Sequence, residues 1–80
     1  MNKEEQQQFD ELQLKLSKIK RLPELGKLQI AYVPEKDGDD GGSRYWEFFT
    51  VNEKGYEYGR ENFFSIRQLT ETVNDYLDIN

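Results

Sequence analysis

Packing alone must hold this chain together. Its 80 residues include no cysteine and no histidine. Neither a disulfide nor a thiolate metal site can therefore supplement a core near the smallest size that folds unaided. The missing imidazole also removes the commonest general base and transition-metal ligand. What the chain has instead is aromatic area: five phenylalanines, five tyrosines and one tryptophan, the side chains that bury most surface per residue. Residues 1–80 read as one domain without an internal repeat.

Hydrophobic spacing predicts a helix over residues 3–20, with Phe9, Leu12, Leu16 and Ile19 on one face. Leu14 points away from that stripe, as an ordinary exposed leucine or as part of a docking face. Pro23 stops the helix and drives Leu22 toward extended geometry, and Gly26 turns the chain. A strand follows over 27–33, with Leu28, Ile30 and Tyr32 alternating onto one side. Pro34 ends it. Residues 35–43 carry no apolar side chain and read as a mobile loop.

A second strand is expected over 44–51 and a third over 56–61, joined by Asn52-Glu53-Lys54-Gly55. The closing helix, 65–78, has Ser65 as N-cap with Gln68 three residues on, a capping box. Phe64 and Leu69 occupy the two positions of a hydrophobic staple, and Ile66, Leu69, Val73 and Tyr76/Leu77 form the buried stripe. The fold class is thus α+β, in the order α-β-β-β-α. A three-stranded antiparallel sheet carries both helices on one face.

Two cues for the hairpin register disagree. A two-residue loop at Glu53-Lys54 opposes Glu47 to Arg60, an ion pair worth roughly 0.2–1 kcal/mol at an exposed site. A three-residue loop, a type I turn closed by Gly55 in the left-handed region, opposes Glu47 to Glu61 instead. Forcing another residue into that region costs about 1–2 kcal/mol, so the turn decides. Trp46, Phe48 and Thr50 then share the helix-covered face with Tyr56 and Tyr58. The open face shows Tyr45, Glu47, Phe49, Glu57 and Glu61, either as a binding surface or under cover of the loop or the chain ends.

No residue set points to catalysis, and an enzyme is not expected. Ser17, Ser43 and Ser65 have no histidine to activate them, and Gly41-Gly42 lacks the Lys-Ser/Thr of a phosphate loop. Asp37 and Asp39 could open a calcium loop, but its twelfth position falls on Phe48 where a glutamate is required. No metal or cofactor is expected. The N-terminus has no apolar leader-like run and no long apolar stretch follows, which predicts a cytoplasmic protein with no membrane partner.

Charge is unevenly placed. Residues 34–80 hold five Lys/Arg against eleven Asp/Glu, and the whole chain carries net charge −5. The expected function is a non-enzymatic acidic interaction domain, an adaptor or inhibitor that binds a basic protein surface. In its sharpest form it is a phage-type nucleic-acid mimic. The expected contacts are Tyr45, Glu47, Phe49, Glu57 and Glu61 on the sheet, Asp37, Asp39 and Asp40 on the loop, and Glu71, Asp75 and Asp78 on the last helix. Duplex nucleic acid is an unfavourable partner for such a surface. Two alternatives remain: a single-stranded nucleic-acid module stacking bases on sheet aromatics beside Arg44 and Arg60, and a structural oligomer subunit joined through Leu14 or a sheet edge.

The α-β-β-β-α order, with Tyr56-Glu57-Tyr58-Gly59 leading into a helix that begins at Ser65, resembles the double-stranded RNA-binding domain. The resemblance implies a similar fold over most of the chain. That family opens its last helix with a basic cluster. The matching stretch, Ser65-Ile66-Arg67-Gln68-Leu69-Thr70, has only Arg67, which argues against that activity.

Overall fold

The structure, a computed structural model, describes residues 1–21, 23–34 and 43–79. Leu22 and residues 35–42, hence most of the expected loop with Asp37, Asp39 and Asp40, lie outside that description. The described elements are α1 (Lys3–Ser17), a short 3-10 turn (Pro23–Leu25), β1 (Lys27–Val33), β2 (Tyr45–Val51), β3 (Glu57–Phe63) and α2 (Ile66–Ile79). The sheet is antiparallel in the order β1-β2-β3.

α1 begins at a capping box. The Asn2 side chain accepts from Glu5 N at 2.8 Å, and Glu5 Oε1 accepts from Asn2 N at 3.0 Å, which satisfies two otherwise orphaned donors. The helix ends three residues earlier than its apolar spacing predicts. Ser17 Oγ donates to the Leu14 carbonyl at 2.7 Å, and the backbone tightens into three-residue steps at Lys18 and Ile19, a side-chain competition that favours termination. Phe9, Leu12 and Leu16 are buried as expected, and Ile19 packs beside them from outside the helix. Ser65 does cap α2, accepting from Gln68 N at 3.2 Å. Phe64, expected to staple onto Leu69, instead stays 69% exposed and sets its ring edge-on to Tyr45 at 6.4 Å.

Both helices lie on the sheet side that carries Leu28, Ile30, Trp46, Phe48 and Phe63, and the core closes with Ile66, Leu69 and Val73. Trp46, Leu12, Leu69 and Val73 are completely enclosed. β3 is the departure from expectation. Tyr56 and Tyr58 are 68% and 47% exposed rather than core, because β3 is a polar edge strand that gives α2 little to bury beyond Phe63. Tyr58 still finds a partner, donating its hydroxyl to the Leu25 carbonyl at 3.0 Å.

The β2–β3 turn is the expected one. Gly55 N donates to the Asn52 carbonyl at 3.0 Å, Asn52 N donates to the Tyr56 carbonyl at 2.9 Å, and Gly55 sits at φ 86°. The register beyond it differs from the simple continuation. Thr50 pairs with Tyr58, but Phe48 pairs with Glu61 and Glu47 with Asn62, with an irregularity between Phe48 and Thr50. Gly59, at φ 66°, supplies the extra residue of a bulge opposite Phe49. The bulge turns Glu61 onto the helix side and brings Arg60 to the other side, where Glu47 lies.

Two consequences are measurable. An added Cβ at Gly26, φ 76°, would sit 2.5 Å from the Val51 carbonyl oxygen and 2.9 Å from Thr50 Cγ2, whereas Gly55 has open space around it. Gly55→Ala is therefore expected to cost about 1–2 kcal/mol from backbone handedness alone. Gly26→Ala should cost clearly more, as read by urea unfolding. Glu5 also accepts a bidentate pair from Arg44 at 2.7 and 2.8 Å. That pair, followed by the hydrogen bond from Asn2, holds its carboxyl below the ordinary value of 4.5. Because the folded value is the lower one, the stabilisation is complete above about 4.5 and is lost as pH falls through the folded value. The stability gap between the wild type and Glu5→Gln should accordingly hold at neutral pH and narrow below pH 4.5.

Candidate interaction surface

The side of the sheet opposite the helices is the natural place to look for a partner. Strand alternation puts Tyr45, Glu47, Phe49 and Val51 there from β2, with Glu57, Arg60 and Asn62 from β3 and Lys27, Gln29, Ala31 and Val33 from β1. Four of the five expected sheet contacts are thus together: Tyr45, Glu47, Phe49 and Glu57. The fifth, Glu61, is on the other side, displaced by the Gly59 bulge.

Arg60 dominates this face. Its Nη1 donates to both carboxylate oxygens of Glu47 at 2.9 Å, Nη2 pairs with Glu57, and the guanidinium carbon lies 4.9 Å from the Phe49 ring centroid. The planar guanidinium suits both tasks, stacking on a ring while forking to carboxylates. Phe49 and Glu47 are each only 7% exposed beneath it. The centre of the open face is consequently neutralised and covered. It is not the bare acidic surface that the sequence suggests.

Two rings remain accessible at one end of that face. Tyr45 is half-buried, Phe64 is largely exposed, and the two touch in a T-shaped pair. The sequence marked Phe64 only as a helix staple. Its exposure was hidden because the staple position takes no account of the turn that precedes α2.

The remaining acids lie elsewhere. Glu71, Asp75 and Asp78 are exposed on α2, on the helix side of the sheet. Glu71 is engaged by Arg67 at 3.1 Å. These residues, like Glu61, lie on the helix side of the sheet, away from the Glu47–Arg60–Phe49 centre. Leu14 is 57% exposed, as expected, in a shallow depression beside Gln7 and Asp10. Among the described residues no group of three or more acidic side chains is placed to hold a metal ion. Among them, too, no helix is long and apolar enough to cross a membrane. No protein-family model matches the chain, and neither a curated protein nor a solved structure gives a significant match.

The Arg60 cluster makes a stability prediction. Arg60→Ala leaves the Glu47 carboxylate shielded and unpaired, a loss of about 1–3 kcal/mol. Arg67→Ala breaks a pair whose side chains are 86% and 62% exposed, and should cost at most about 1 kcal/mol. Adding Glu47→Gln to Arg60→Ala should recover part of the loss, and a double-mutant cycle by urea unfolding measures the coupling.

Proposed function

We propose that this protein is a non-enzymatic interaction domain, an adaptor or inhibitor, which docks on a basic protein surface. Tyr45 and Phe64, at the margin of the open sheet face, are the anchors, and Glu61, Asp75 and Asp78, on the helix side of the sheet, supply the longer-range field that draws a basic partner in. The observation that carries the reading is the exposed Phe64 ring, 69% accessible, paired with Tyr45 at the margin of a sheet face that the helices leave free. Aromatic anchors dominate the energetics of protein interfaces, and complementary charge steers the encounter. Asp78 adds support, since it stands in the last turn of α2, where the macrodipole disfavours negative charge by about 0.3–1 kcal/mol.

In its sharper form the basic surface is a nucleic-acid-binding site, which this chain occupies in place of the nucleic acid. The protein acts in the cytoplasm in this reading, in keeping with a chain that has no cysteine. A base-stacking platform has less to recommend it. Trp46 and Phe48 are buried in the core and Phe49 lies under Arg60, so Tyr45 is the most accessible ring on β2.

The test is affinity capture from the native host with the wild type, Phe64→Ser and Asp75→Lys/Asp78→Lys. Both variants are expected to fold, because the substituted side chains are exposed. A specific partner should be recovered by the wild type and lost from both variants, with affinity falling between about 50 and 200 mM salt. Nucleic acid should displace it if the mimic form holds. Undiminished recovery by both variants overturns the proposal.

A further inference from the structure

The chain's positive charge is as localised as its negative charge, and it borders an apolar groove. Between Lys15 and Lys27 there are five cations (Lys15, Lys18, Lys20, Arg21 and Lys27) against one acid, Glu24, in a chain of net charge −5. Alongside them an open groove of about 860 Å³ runs between the C-terminal part of α1 and the first half of β1. Leu16 and Ile19 from the α1 side and Leu28 and Ile30 from β1 give it apolar walls. Lys20, Arg21 and Lys27 stand on its lining against a single acid, Glu53, where the groove reaches the end of β2.

We propose that this groove takes an acidic peptide segment in extended conformation, added to β1 as a fourth strand. This surface is distinct from the acids of β3 and α2 and has the opposite chemistry. Three observations converge on the occupant. β1 is an outer strand of the sheet, so its free edge offers unpaired main-chain donors and acceptors to any extended chain beside it. The groove is open to solvent and its lining includes the consecutive β1 residues Lys27, Leu28, Gln29 and Ile30 as well as the end of β2, a shape suited to a chain segment rather than to an enclosed small molecule. Arg21 lines the groove, and its Nη1 is shielded and has no hydrogen-bond partner among the described residues, an uncommon and costly condition that a carboxylate in the groove relieves once the side chain turns toward it.

Strand addition also fixes the kind of sequence. Successive side chains of an added strand alternate in direction. Those turned toward α1 meet Leu16 and Ile19 and are apolar. The carboxylates reach Lys20, Arg21 and Lys27.

A direct probe is a short capped peptide of alternating glutamate and valine, titrated into the isotopically labelled full chain and followed by amide chemical shifts. Shifts should concentrate on residues 16–21 and 26–30. A lysine–valine peptide should leave them unmoved, and N-methylation of alternate peptide residues should abolish binding. Lys20 and Lys27 are exposed, so Lys20→Glu/Lys27→Glu should fold normally and weaken binding about fivefold or more. Asp75→Lys/Asp78→Lys should retain it, which separates this site from the acids of α2. The proposal is overturned if the lysine–valine peptide binds equally, if shifts fall on Tyr45 and Phe64, or if none occur at millimolar peptide. Shifts that track protein concentration without peptide would assign the groove to a second copy. Full competition by dodecanoate together with indifference to N-methylation would assign it to an amphipathic lipid. Either result also overturns the peptide.

Discussion

Trp46 has no solvent exposure, and its indole is held from several directions. It pairs across the sheet with Tyr32 and Phe63, its ring lies 5.2 Å from that of Tyr32, and Nε1 faces the Met1 sulfur at 3.3 Å. The Arg44 guanidinium stacks 5.3 Å from the ring centroid. Arg44 is in turn fixed by Glu5, the residue that completes the α1 capping box. A local helix-start signal is thereby tied to the largest side chain of the central strand. The magnitudes assign the roles. Burying a large aromatic is worth a few kcal/mol, on the order of 25 cal/mol per Å², while a partly exposed ion pair gives less than about 1. Trp46 supplies the stability, and the Glu5–Arg44 pair sets where the start of α1 meets β2.

Much of this was legible in the sequence, because it rests on periodicity. The stripes Phe9–Leu12–Leu16 and Ile66–Leu69–Val73 are buried as their spacing requires, and Leu28–Ile30–Tyr32 alternate as they should. The turn at Gly55 was legible for a steric reason, since only glycine enters the left-handed region cheaply. The end of α1 was not, because apolar spacing continues to Ile19 while the Ser17 hydroxyl competes for a backbone carbonyl. The Asn2–Glu5 box was visible in principle, being the same signature as Ser65–Gln68 with a different cap.

The register of β3 turns on a different kind of failure. With uninterrupted pairing the turn at Gly55 and the Glu47–Arg60 pair exclude each other. Gly59 interrupts the pairing. A glycine inside a strand pattern often marks a bulge, and this one shifts the register by a residue so that the turn and the ion pair coexist. The same shift carries Glu61 away from the open face and lays Arg60 over Phe49. One unread glycine therefore accounts for the neutral centre of a surface expected to be acidic.

What remains is the segregation of charge, and helix electrostatics explains only part of it. Lys15 and Lys18 stand at the C-terminal end of α1, where the macrodipole favours cations. Lys15 also reaches Asn74 of α2 at 3.2 Å, joining the two helices. Both lysines have a sufficient structural reason to be there. Lys20, Arg21 and Lys27 do not, since they lie beyond α1 and the dipole's influence fades within a turn. Asp75 on α2 has none either, and Asp78, in the last turn, has a structural reason against it. The charges that the fold does not account for are thus the cations at the β1 groove and the acids on α2. Each set is where a partner of opposite sign would supply the missing reason.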